Sequence, residues 1–242
     1  MVRTRHLLAL LLSLIAAIAY PQQPQPSAPV RIACIGNSIT EGYGLTDPAH
    51  EAYPARMQQL LGAGYQVTNY GISGHTLLRG TDASYIDETT RHSFRQALAS
   101  QPDIVTIKLG TNDSKARYDS LLHIDFIRDF HSLIDSLEAL PSRPYIYLCL
   151  PIPSTGINYS IRDSVTVHEV IPRIRAVAQE RHLPIIDLYQ LMLPFPELLP
   201  DMVHPNAAGA MIIAQEIARR IELDRAKGVM RKQGHYHEAG RD

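Results

Sequence analysis

The sequence predicts a single α/β domain built on an open parallel sheet with helices on both faces. Apolar strand-like runs alternate five times with amphipathic helical stretches, and right-handed crossovers between parallel strands put such helices on either side of the sheet. The runs are apolar almost throughout, as strands covered on both faces are. A chain of 242 residues, 45% of them hydrophobic, supplies one sizeable core, and nothing in it suggests a second.

Taken in order, Arg3 and Arg5 precede an apolar stretch from Leu7 to Ala19 that ends Ala17-Ile18-Ala19. A charged start, a short apolar run and small residues read as a signal peptide over residues 1–19. The run is too short to span a bilayer comfortably, and no cysteine follows it to carry a lipid. The expectation is therefore an exported protein, periplasmic or secreted, cleaved near Ala19 and left without a membrane span. Residues 20–29, rich in proline and glutamine, read as a flexible leader.

The domain is expected over residues 30–225. Strands are predicted at Val30–Ile35, Tyr65–Tyr70, Ile104–Leu109, Tyr145–Leu150 and Ile185–Asp187. Between them the periodicity predicts helices near Pro54–Leu61, up to about Ser100, over Leu121–Leu140 and around Val165–Glu180. Pro172 either kinks the fourth of these or delays its start. A last helix opens near Asn206, a plausible N-cap, with Met211, Ile212, Ile217 and Ile221 on roughly one side. Residues 226–242 are polar and glycine-punctuated and read as a disordered tail.

Charge and motifs exclude several functions. The chain has 23 basic and 24 acidic residues, and loss of residues 1–19 removes two arginines and no acid. Without a basic excess or stripe, nucleic acid is not an expected partner. Gly42-Tyr43-Gly44 lacks the third glycine of a dinucleotide fingerprint, and no Walker A pattern exists. His235 and His237 in a solvated tail are too little for a metal site, so no metal or other cofactor is expected. Cys34 and Cys149 lie in strand-like runs. In the strand order considered next they are separated by a strand, about 10 Å apart, and so are expected as buried free thiols.

The chemistry-bearing residues fall just after the predicted strands. Ser38 follows the first, Gly74 the second, Asn112 the third, and Asp201 and His204 lie in the loop after the fifth. Ligands bind at the carboxyl ends of open parallel sheets, around the point where the strand order reverses. A flavodoxin-like order 2-1-3-4-5 would set strands one and three side by side there and bring Ser38 and Asn112 together. A serine hydroxyl needs an imidazole to take its proton and a carboxylate to hold that imidazole, and the spacing of Asp201 and His204 lets one tight turn present both. Attack on an ester carbonyl creates an oxyanion; the Ser38 N–H, the Gly74 N–H and the Asn112 side-chain amide are its candidate donors. Ser73, in Gly71-Ile72-Ser73-Gly74-His75, is a weaker rival nucleophile, because His75 stands where the last glycine of G-x-S-x-G belongs.

These residues carry a resemblance. Gly36-Asn37-Ser38-Ile39-Thr40, Gly71-Ile72-Ser73-Gly74-His75-Thr76, Gly110-Thr111-Asn112-Asp113 and Asp201-Met202-Val203-His204-Pro205 are similar, in this order, to the four blocks of the SGNH (GDSL-like) hydrolases. The resemblance implies a flavodoxin-like three-layer α/β/α sandwich with a five-stranded parallel sheet. It also implies Ser38 as nucleophile, His204 as base, Asp201 as its orienter, and Ser38, Gly74 and Asn112 as oxyanion donors. Asn37 departs from the pattern, standing where many relatives have aspartate. Lys115 after the third block and Asp187 at the end of the fifth strand resemble members that deacetylate carbohydrates. The expected function is that of an exported, cofactor-free serine esterase removing a short acyl group, acetyl first, from a small-molecule or glycan ester. A lysophospholipase or thioesterase, and a carbohydrate-binding module that has lost turnover, remain as alternatives.

Overall fold

The computed structural model describes residues 28–231. The predicted signal peptide, most of the leader and the tail beyond residue 231 lie outside the described residues.

β1 (Val30–Gly36) leads into two short helices, α1 (Ser38–Glu41) and α2 (Pro48–Glu51), and then α3 (Tyr53–Leu61). β2 (Tyr65–Gly71) is followed by a long irregular segment with an isolated bridge between Thr76 and Ser84, then α4 (Ser93–Ala99). β3 (Ile104–Lys108), α5 (Asp119–Glu138) and β4 (Tyr145–Cys149) come next. α6 (Asp163–Val165) runs through a wide turn at Thr166–Val170 into α7 (Ile171–Glu180). β5 (Ile185–Ile186), α8 (Leu188–Met192) and α9 (Ala207–Ala226) complete the domain.

All strand pairs are parallel and the sheet order is β2-β1-β3-β4-β5, the predicted one. Alternate residues of each strand enter opposite cores, as the pleat requires. Ala33, Ile35, Val105, Ile107, Ile146 and Leu148 pack on the face covered by α4, α5 and α7. Ile32, Cys34, Ile104, Tyr145, Tyr147 and Cys149 pack on the face covered by α3 and α9. Cys34 and Cys149 are buried free thiols, and β3 lies between their strands.

Three local findings differ from the sequence reading. α7 begins late, at Ile171 with Pro172 in its first turn, yet the helical stretch as a whole starts earlier, at α6. A proline ring crowds the carbonyl four residues back, and the preceding turn widens so that the Ile171 N–H donates to Thr166, five residues back. In α9 the buried stripe is Ala210, Ile213, Ala214, Ile217 and Ile221, while Met211 and Ile212 are only half-buried. The helix also runs on to Ala226, and a further turn at Val229–Arg231 brings Met230 against the core, so residues 226–231 are ordered where a tail was expected. At this end Arg225 Nη1 donates to the Tyr65 hydroxyl over 2.6 Å, tying the last helix to the first residue of β2.

Where β1 and β2 end, Gly36 pairs with Gly71. A Cβ on Gly71 would stand 2.3 Å from the backbone nitrogen of Glu41 and 2.8 Å from its Cα, so α1 can cross the end of the sheet only over a glycine. Gly71→Ala is expected to lose about 3 kcal/mol of stability, because backbone and not a flexible side chain must give way. Urea unfolding checks this, and a shift below about 1 kcal/mol would refute the crowding.

Candidate active site

The loops after four strands meet over the carboxyl end of the sheet, where the order reverses between β1 and β3. Asn37 ends the first strand's run and caps α1, its Oδ1 accepting from the Ile39 N–H at 3.3 Å. An aspartate offers the same acceptor, so the departure from the resembled pattern keeps the cap. Its cost is the buried Asn37 Nδ2, which has no hydrogen-bond partner among the described residues. Ser38 is the first residue of α1, so its N–H has no intrahelical acceptor.

The loop before α9 folds on its own carboxylate. Asp201 Oδ1 accepts from the N–H groups of Val203 (3.0 Å) and His204 (2.7 Å), and Met202 between them takes a left-handed φ of 71°. That tight turn points Asp201 Oδ2 at His204 Nδ1, 2.7 Å away. On the other side of the ring, His204 Nε2 lies 2.8 Å from Ser38 Oγ, across 166 positions of sequence. The structure therefore brings Ser38, His204 and Asp201 into one hydrogen-bonded line, with Ser38 and His204 nearly buried.

The electrostatics keep the imidazole neutral and the carboxylate charged. Burial pushes the His204 pKa down, the charge of Lys108 adds to this, and Asp201 opposes without reversing it. Burial disfavours the Asp201 carboxylate, yet the N–H bonds from His204 and Val203 and the facing imidazole outweigh it and hold its pKa below the usual range.

Gly74 and Asn112 line the same pocket as Ser38 and His204. Gly74 has φ +80° with open space where a Cβ would lie, so backbone conformation and not crowding requires the glycine. No acceptor engages its N–H among the described residues. Asn112 Nδ2 donates to the His75 carbonyl at 3.0 Å, which uses one of its two hydrogens. The next residue, Asp113, is fully buried and accepts from the N–H groups of Leu77 (3.1 Å) and Leu78 (3.0 Å), so the loops after β2 and β3 are locked together. Burial outweighs those bonds and pushes its pKa up to about 6.

The pocket among these residues has a volume of about 150 Å³, below the ~300–1,000 Å³ that takes a drug-sized ligand. It has room for a short acyl group. Lys115 lines it, whereas Asp187 does not: Asp187 caps α8 and pairs with Arg175 at 2.6 Å. The rival Ser73 has no imidazole base, since its hydroxyl donates to Glu41 Oε2. Among the described residues no cluster of three or more histidine, cysteine or acidic side chains could hold a metal ion.

Three residues escaped the sequence reading. Tyr43 packs on the His204 ring at 4.6 Å between centroids, and Tyr159 meets the same ring at 5.1 Å, nearly edge-on. Lys108, at the end of β3, is fully buried with its Nζ 3.5 Å from Thr111 Oγ1, and burial brings its pKa down to about 7. A lysine inside the apolar run Ile104–Leu109 was a visible signal; the two tyrosines had none.

The model of the GDSL-like lipase/acylhydrolase family matches residues 34–212. The chain is 40% identical over 214 residues to an acetylxylan esterase of Xylanibacter ruminicola, covering 80% of this chain and 43% of that protein, so it spans less than half of that relative. It is 28% identical over 220 residues to an acetylxylan esterase of Geobacillus stearothermophilus, covering 80% of this chain and 94% of that one. Among solved structures, a carbohydrate acetylesterase from Sinorhizobium meliloti superposes with a TM-score of 0.65 at 19% identity, covering 80% of this chain and 99% of that chain.

Proposed function

The chain belongs to the GDSL-like lipase/acylhydrolase family, and from that premise we propose that it is an exported serine esterase that removes acetyl groups from carbohydrate esters. The observation that carries the reading is the unbroken line Asp201–His204–Ser38, with contacts of 2.7 and 2.8 Å, opening on a pocket sized for a short acyl group. The two acetylxylan esterase relatives support the substrate class. Export rests on the sequence of residues 1–19. No helix among the described residues is long and apolar enough to cross a membrane.

In this reading His204 Nε2 takes the Ser38 proton as Oγ attacks the acetyl carbonyl, and Asp201 steadies the imidazolium that forms. The carbonyl oxygen, now an oxyanion, is held by the Ser38 and Gly74 N–H groups and the free Asn112 amide hydrogen. As the tetrahedral intermediate collapses, His204 returns the proton to the sugar oxygen and the sugar departs, leaving acetyl-Ser38. Water then repeats the sequence, with His204 as base, and releases acetate.

A series of p-nitrophenyl esters from acetyl to palmitoyl tests the proposal. Peak kcat/KM at acetyl supports it, and a peak at long chains would transfer the site to a lysophospholipase or thioesterase. Rapid labelling of Ser38 by a fluorophosphonate separates an enzyme from a binding module without turnover, because only an activated serine reacts quickly.

Asn112→Ala is expected to lower kcat on acetyl esters about 100-fold with KM little changed, since the lost hydrogen bond strengthens only as the oxyanion forms. Wild-type kcat would remove Asn112 from the donor set. The pH profile follows from the depressed His204 pKa. Below that pKa the ring is protonated and cannot act as base, so the acid limb of kcat/KM should have its midpoint below the ordinary histidine value of 6.5. A midpoint above 6.5, or a flat profile down to about pH 4, would contradict it.

A further inference from the structure

Beside the acyl pocket lies a second, wider cleft of about 540 Å³ that shares Tyr43 and Ser73 with it. The acyl pocket accounts for the acetyl group and leaves this space without a role. Its size is that of a site for a ligand of more than one ring. Tyr43 lines both spaces. The residue is exposed (45%), and its ring meets those of His204, 4.6 Å away, and Tyr159, 6.0 Å away and nearly perpendicular. The chain has no tryptophan, so tyrosine is its largest aromatic platform.

Charged groups occupy another part of the same cleft. Glu41 and Arg91 form an ion pair there, and Glu41 also accepts from the Ser73 N–H at 2.7 Å and from its hydroxyl. An exposed aromatic residue beside an ion pair is the chemistry that holds a sugar. The ring C–H bonds carry slight positive charge and lie against the negative face of the tyrosine, and the hydroxyls bond to guanidinium and carboxylate. A lipid tail would gain from the aromatic face but would have to desolvate the ion pair.

Resting on the esterase reading above, we infer that this cleft is the glycan subsite of the enzyme. The saccharide that bears the acetyl group stacks on Tyr43 and reaches the Glu41–Arg91 pair, which orients its ester toward Ser38.

Steady-state kinetics of Tyr43→Ala, Tyr43→Phe and Arg91→Met on acetylated xylotetraose and on ethyl acetate test this, because ethyl acetate, with its acetyl group in the acyl pocket, is too short to fill the cleft. Tyr43→Ala and Arg91→Met should raise KM for the oligosaccharide at least about tenfold more than for ethyl acetate, and Tyr43→Phe should restore most of the difference. Equal losses on both esters would mean that Tyr43 only packs against His204 and would overturn the inference, as would a larger loss on long-chain acyl esters. Calorimetric titration of the Ser38→Ala protein with unacetylated xylotetraose reads the subsite without turnover. Saturable binding that Tyr43→Ala abolishes supports it, and absence of binding overturns it. Failure of the esterase reading would look different: the unsubstituted protein would release no acetate from either ester.

Discussion

Ser38→Ala should reduce kcat on acetyl esters on the order of 10⁴- to 10⁶-fold and leave thermal unfolding nearly unchanged. Among the described residues the hydroxyl has one partner, His204 Nε2 at 2.8 Å, and it neither caps α1 nor braces the core. Asn37 performs the capping, so removing one oxygen takes away the proposed nucleophile and little else. Acetate release with a sensitive assay, alongside a melting curve, checks both halves. An alanine variant within tenfold of wild type would end the acyl-serine mechanism.

Asp201→Asn is expected to cost about 10⁴-fold in kcat. The side-chain oxygen that accepts from Val203 and His204 can persist as the amide oxygen, so the turn through Met202 survives. The atom facing His204 Nδ1 then becomes an N–H donor, which forces the imidazole into the tautomer that presents a hydrogen to Ser38. A base that already carries its proton on that side cannot take another. Retention of the fold by circular dichroism together with this loss would separate the tautomer effect from collapse of the loop, whereas activity near wild type would mean that Asp201 does not set the ring.

The five strands were legible from periodicity, while their order and the meeting of Ser38, Asn112 and His204 came with the resemblance carried by the four sequence blocks. What decides the pocket's walls was not legible. Tyr159 and Ser160 take left-handed φ values of 52° and 60°, a conformation that costs a non-glycine residue about 1–2 kcal/mol and leaves no mark in composition. The strain is held by tertiary bonds. Asn158 Nδ2 donates to the Asp201 carbonyl at 2.7 Å, and the Thr155 N–H donates to Met202 at 2.9 Å, so the loop after β4 is fastened to the one that carries His204. Pro172 marked the position of a backbone irregularity but not its form, since an extra residue in the preceding turn and a bend relieve the same clash. Lys108 was visible as a cation in an apolar run, yet only its strand register beside Gly36 reveals that it sits behind the serine loop.

The bond from Arg225 to Tyr65 fixes more than a helix end. The chain enters the domain at Val30, which lies beside Tyr65 in the sheet, and the last turn of α9 is bound to the same residue. Both contacts lie at the amino ends of the strands, a full strand length from the loops that carry Ser38 and His204, so the first strand and the last helix are clasped together away from the mouth of the pocket.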